Sequence, residues 1–140
     1  MTFNEKSAWI MAIALTLLGF IYGQGVVADT LMRGETAPPN IGLISSLTLV
    51  LIIGAIVGHI LVSALDIDGV DADGDERDTS INRRSGNIAG YVLGFGIFGG
   101  LAHFYIHGDG NMLFHIGVAS LIISQISQDI LSIIIYRRGS

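Results

Sequence analysis

No cysteine occurs among the 140 residues, which excludes disulfide staples, thiolate metal sites and a cysteine nucleophile but leaves the compartment undecided. Charge is scarce as well: 14% of residues are Asp, Glu, Lys or Arg, where a soluble domain carries about 25%. No nucleophile and base pair, phosphate-binding glycine loop or zincin motif is present, so the chain is not read as an enzyme. The net charge of −5 arises mostly from one acidic loop, and no nucleic-acid partner is expected.

What the chain does have is length without charge. Uncharged runs extend over 7–28, 36–65, 85–108 and 110–128, and the last resumes as 130–136 after the single acid Asp129. A hydrocarbon core of about 30 Å needs about 20 apolar residues in helical form, so each run crosses a bilayer or nearly so. With 51% hydrophobic residues, little chain is left for a separate soluble domain. The expectation is one all-α integral membrane four-helix bundle over 1–140, with helices at about 7–28, 41–65, 79–107 and 112–136. Val26-Val27-Ala28 before Asp29 offers the small residues that a signal peptidase favours, but the uncharged run is longer than a typical leader core and is counted as helix 1.

Orientation follows from the basic residues, which are held on the cytoplasmic side near helix ends. With an even number of spans, Lys6, Arg77, Arg83, Arg84, Arg137 and Arg138 share one face and Arg33 stands alone on the other. Both termini and the 66–84 connector are therefore expected in the cytoplasm, and the protein in a bacterial inner membrane. Pro38-Pro39 ends helical continuation in the first outer loop, and Trp9 and Tyr136 fall where interfacial aromatics belong.

Glycine spacing indicates how the helices meet. Gly86, Gly90 and Gly94 recur every fourth residue in helix 3, followed by Gly96, Gly99 and Gly100, and helix 2 carries Gly54 and Gly58. In lipid, small residues at this spacing allow close backbone approach. Helix 3 is accordingly expected at the centre, its glycines packing within the chain or against a second copy. A bundle this small has a thin interior, which favours a homo-oligomer.

Helix 4 is the most polar span. Ser120, Ser124, Gln125, Ser127, Gln128, Asp129 and Ser132 fall on one arc, and Ile122, Ile123, Ile126, Ile130, Ile133 and Ile134 on the opposite one. A carboxylate near the bilayer centre costs at least about 2.5 to 3.5 kcal/mol, so such a group is paired, protonated or functional. One reading has Asp129 hydrogen-bonded in the bundle or reaching Arg83 or Arg84. The other makes Asp129, Gln125, Gln128 and Ser124 a pathway for protons or cations.

His103 and His107 are four residues apart on helix 3, and His115 follows a turn containing Asp109. That spacing lets imidazoles and a carboxylate converge on one metal, or a haem, as an alternative to ordinary interfacial histidines. No cofactor is expected on the first reading. His59 lies near the other end of its helix and does not join them. The acidic stretch from Asp66 to Glu76 alternates carboxylates with glycine in the manner of a calcium loop, but Glu76 and Asn82 stand where an EF-hand wants glycine and glutamate. It reads as a solvated connector, with weak Mg²⁺ or Ca²⁺ binding as the alternative.

The connector ends in Asp75-Glu76-Arg77-Asp78-Thr79-Ser80-Ile81-Asn82-Arg83-Arg84 and leads into helix 3, with Asp78 as the expected N-cap. This D-E-R-D-x-x-I-x-x-R segment before a span resembles an uncharacterised family of prokaryotic four-span membrane proteins, a domain of unknown function. The resemblance implies the architecture and singles out Asp75, Glu76, Arg77, Asp78 and Arg84, but transfers no chemistry. Three functional readings remain: an oligomeric, non-enzymatic membrane bundle whose charged cytoplasmic segment contacts a membrane-protein partner or lipid head groups; a proton or cation conduit along helix 4; and a histidine-based metal or haem redox protein.

Overall fold

A backbone surrounded by lipid must satisfy its amides internally, so runs of Leu, Ile, Val, Ala and Gly of this length become helices. The computed structural model describes residues 3–65 and 76–138. Among them the chain forms four helices and no strand: α1 Phe3–Arg33, α2 Ile41–Leu65, α3 Glu76–His107 and α4 Gly110–Arg138. All four are long and apolar enough to cross a membrane, as the sequence predicts. The candidate cation loop over 66–75, Asp75 included, lies outside the described residues.

The helix ends have local causes. Gly34 and Gly108 adopt φ of 72° and 70°, and their amides bond back to the carbonyls of Thr30 and Phe104 at 3.0 and 2.7 Å. These are left-handed closures that glycine makes without steric cost. After Pro38-Pro39, Asn40 caps α2 by accepting the Leu43 amide at 2.9 Å, and Asp109 caps α4 by accepting the Met112 amide at 2.9 Å. At α3 the expected cap is displaced. Among the described residues α3 already includes Glu76, which puts Asp78 inside the helix, where side chains of two other helices engage it.

Lateral order is the main departure from expectation. α4 packs between α1 and α3, and α2 packs on the far side of α1, giving the order α2, α1, α4, α3. Helix 3 is an edge and not the centre. The physical reason lies in α4, whose buried side chains include His115, Ser120, Ser124, Asp129 and Ser132 and require partners on both sides. α1 meets α4 along a seam of Glu5, Ala8, Ala12, Leu15 and Tyr22, spaced to lie on one helical face. No described side chain of α2 is buried.

The closest approach of α3 to α4 occurs at Gly96 and Gly100. A methyl on Gly96 would collide with the Ser120 hydroxyl and stand 2.6 Å from its Cβ; one on Gly100 would lie 3.0 Å from Ile116. Gly58 faces Ile10 on α1, and Gly86 lies beside Gln128. Gly54, Gly90 and Gly94 face open space, with nothing within 4 Å of an added methyl. Within α3 the glycines that meet α4 most closely are thus Gly96 and Gly100, while Gly19 of α1 meets Ile122 of α4 at 3.1 Å.

Candidate functional site

Two hydroxyls of the polar arc of α4 cross to α3, and others bond within their own helix. Ser124 donates to the Ala89 carbonyl across the α3 interface at 2.8 Å, and Ser132 donates to Ser85 Oγ at 2.9 Å. Ser85, fully buried, passes its own proton back to the Ile81 carbonyl at 2.9 Å. Ser120 donates to the Ile116 carbonyl of its own helix at 2.6 Å. The two bonds that cross from α4 to α3 hold those helices together in lipid, where each such bond contributes roughly 0.6 to 2 kcal/mol.

Asp129 is the exception. It is 8% exposed; Oδ1 accepts from Gln125 Nε2 at 3.3 Å, whereas Oδ2 is buried without a hydrogen-bond partner among the described residues. Of the four pathway residues expected from sequence, the structure brings Gln125 to Asp129, commits Ser124 to α3 and sets Gln128 beside Gly86. Gln125 is itself exposed on the helix surface.

At the end of the layer that carries both chain termini, three helices are tied by side chains. Asp78 of α3 accepts from Asn4 Nδ2 of α1 at 2.6 Å and from the Tyr136 hydroxyl of α4 at 2.7 Å. Arg137 donates to buried Glu5 at 3.2 Å and lies 5.5 Å from the centre of the Trp9 ring, a cation–π distance. Among the motif residues, Asp78 therefore works inside the fold, while Glu76, Arg77 and Arg84 are exposed. On the α2 side, His59 donates Nδ1–H to the Ala55 carbonyl and accepts the Ser7 hydroxyl at Nε2, both at 2.6 Å.

The histidines at the opposite end do not form the centre that their spacing allows. His103 and His107 stack at 4.4 Å between ring centres, and His107 Nδ1–H bonds the His103 carbonyl at 3.2 Å. His115 turns away from them into the α1 interface. Its Nε2 bonds the Ala37 carbonyl at 2.8 Å, and its Nδ1 is 2.6 Å from the Tyr22 hydroxyl. A carbonyl only accepts, so Nε2 carries the proton and Tyr22 donates to Nδ1. Both nitrogens are thereby occupied. Asp109 is occupied too, accepting from the Thr36 hydroxyl at 2.6 Å as well as capping α4. The Thr36 hydroxyl first, and the Met112 amide second, hold the Asp109 carboxyl below its ordinary range. Among the described residues no group of three His, Asp or Glu side chains is placed to hold a metal, which corrects the convergence of His103, His107, His115 and Asp109.

Tyr22 is the site residue that sequence reasoning missed. It sits in an uncharged run, and the only signal was a phenol at a depth where its hydroxyl needs a partner. Comparison with protein-family models, curated proteins and solved structures finds no match to this chain.

Proposed function

We propose that the chain is a non-enzymatic, multi-pass protein of the bacterial inner membrane that works as a homo-oligomer without a cofactor and has both termini in the cytoplasm. In this reading the charged start of α3, with Glu76, Arg77, Arg83 and Arg84 exposed, contacts anionic lipid head groups or a membrane-protein partner. The observation that carries it is the outward strip of edge helix α3, where Gly90 and Gly94 have open space around them one turn apart. Small residues four apart on a lipid-facing helix allow a second helix to approach closely. The polar residues of α4 add support from the other direction, because Ser124 and Ser132, bonded to Ala89 and Ser85 of α3, act as glue between helices. Native mass spectrometry from lipid discs tests the reading: the parent chain gives a defined oligomer and Gly90→Leu/Gly94→Leu gives monomer. A parent chain that is monomeric in lipid contradicts it.

A second reading, a proton or cation conduit, is favoured by one observation, the unpartnered buried oxygen of Asp129. It predicts that Asp129→Asn abolishes a liposome flux seen with the parent chain; no flux in the parent removes it.

A further inference from the structure

We propose that the cavity between α1, the 34–40 connector and the entry of α4 binds a small primary alkylammonium ion. The cavity measures about 170 Å³, and an engineered cavity of about 150 Å³ holds benzene, so a cation of a few carbons fits. Tyr22, Gly25 and Asp29 line it from α1, Asn40 and Leu43 from the entry to α2, and His115 from α4. Asp29 is two helical turns from Tyr22 on the same face, so a half-buried carboxylate and a buried phenol line one wall of the cavity.

The hydrogen-bond inventory selects the ligand. Tyr22 has committed its proton to His115, and its oxygen keeps a lone pair for an incoming N–H. His115 has no free nitrogen. Asn40 Oδ1 accepts the Leu43 amide and retains a second lone pair. Asp29 is half-buried and makes no hydrogen bond or ion pair among the described residues, Arg33 one turn beyond it included. Acceptors and one negative charge thus converge on a space that is otherwise walled by Val26, Pro38 and Leu43. A primary ammonium supplies three donors and a positive charge, and its alkyl group suits the apolar wall. Calcium or magnesium fits poorly, because these ions take about six or more oxygen ligands and Asp29 is the one carboxylate lining the space.

Calorimetric titration of the full chain in lipid discs with propylammonium chloride tests the site, with 1-propanol as the neutral isostere and sodium chloride as the ionic control. The expected result is saturable propylammonium binding, with 1-propanol weaker on the order of tenfold or more, as loss of a charge-assisted hydrogen bond implies. Asp29→Asn lowers affinity by a comparable factor and Asp29→Glu retains it. Gly25→Leu abolishes binding, since a side chain there enters the wall beside Leu43, whose methyl would be 3.2 Å from the new Cβ. Circular dichroism of each variant checks that the helices are intact. Absence of saturable binding to the parent chain, equal binding of 1-propanol, or displacement by sodium at equal concentration overturns the proposal, and none of these outcomes depends on a variant folding.

Discussion

Tyr22 and His115 stand 93 residues apart in the chain and share a 2.6 Å hydrogen bond that fixes the imidazole tautomer and ties α1 to α4. Both side chains are buried, at 6% and 7% exposure. Tyr22→Phe removes the donor and leaves Nδ1 a buried acceptor without a partner. The expected loss is about 1 to 3 kcal/mol of stability in mixed-micelle unfolding, with no change in helix content. An unchanged unfolding midpoint would mean that the bond contributes nothing to the α1–α4 contact.

Gly96 and Gly90 are separated by six positions on one helix and should respond oppositely to a methyl group. At Gly96 the methyl meets the Cβ of Ser120 at 2.6 Å, which no rotamer change of the hydroxyl relieves. Overpacking of this kind costs typically about 1 to 3 kcal/mol. At Gly90 the methyl meets nothing within 4 Å, and replacing glycine by alanine in a helix gains about 0.5 to 1 kcal/mol in folding of the single chain. Unfolding of Gly96→Ala and Gly90→Ala in monomerising detergent measures both. Equal effects at the two positions would contradict the placement of the α3–α4 contact.

At the end opposite the termini, the clasp between Thr36 and Asp109 gives a pH dependence of determined sign. The folded-state value of Asp109 is depressed, with the Thr36 hydroxyl as the largest cause. A depressed acid contributes stability that is fully present above its unfolded value and is lost as pH falls through its folded value. The contribution is therefore constant at neutral pH and declines below about pH 4. Thermal unfolding of the parent and of Asp109→Asn across this range should converge at low pH and diverge above it; parallel curves would count against the clasp.

Asp78 separates a structural role from a binding role within the charged segment. It holds Asn4 and Tyr136 at once, whereas Glu76 is exposed. Asp78→Ala should lower stability by roughly 1 to 3 kcal/mol by leaving partly buried donors unpaired, and Glu76→Ala should stay within about 0.5 kcal/mol, as surface changes do. Co-sedimentation with anionic vesicles should respond in the other order, with Arg83→Gln/Arg84→Gln weakening binding most.

The spans were legible because lipid demands length without charge, and α2 occupies Ile41–Leu65 where 41–65 was expected. α1 runs further than the uncharged stretch, from Phe3 to Arg33, since Asp29 and Arg33 at its end leave the apolar core and tolerate helix at the interface. The burial of Ser120, Ser124, Asp129 and Ser132 follows the spacing of α4's polar arc, whereas Gln125 of the same arc is exposed. Lateral order was not legible, because all six glycines considered in α3 look alike in sequence, and the close matches of Gly96 to Ser120 and of Gly100 to Ile116 are what set two of them apart. The same limit applies to His115, whose spacing from His103 suggested a shared ligand until Tyr22 and the Ala37 carbonyl took both its nitrogens.

Assembly of copies through the outward strip of α3 is the central claim, and the absence of native cysteine allows a direct measurement. Single substitutions Gly90→Cys, Gly94→Cys and, as a control on exposed α2, Ile53→Cys can each be oxidised in native membranes and resolved by non-reducing electrophoresis. Close helix approach predicts disulfide-linked dimer for Gly94→Cys or Gly90→Cys and none for Ile53→Cys, because a disulfide needs Cα atoms within about 7 Å. Monomer at both glycine positions, with or without cross-linking at Ile53, would contradict it.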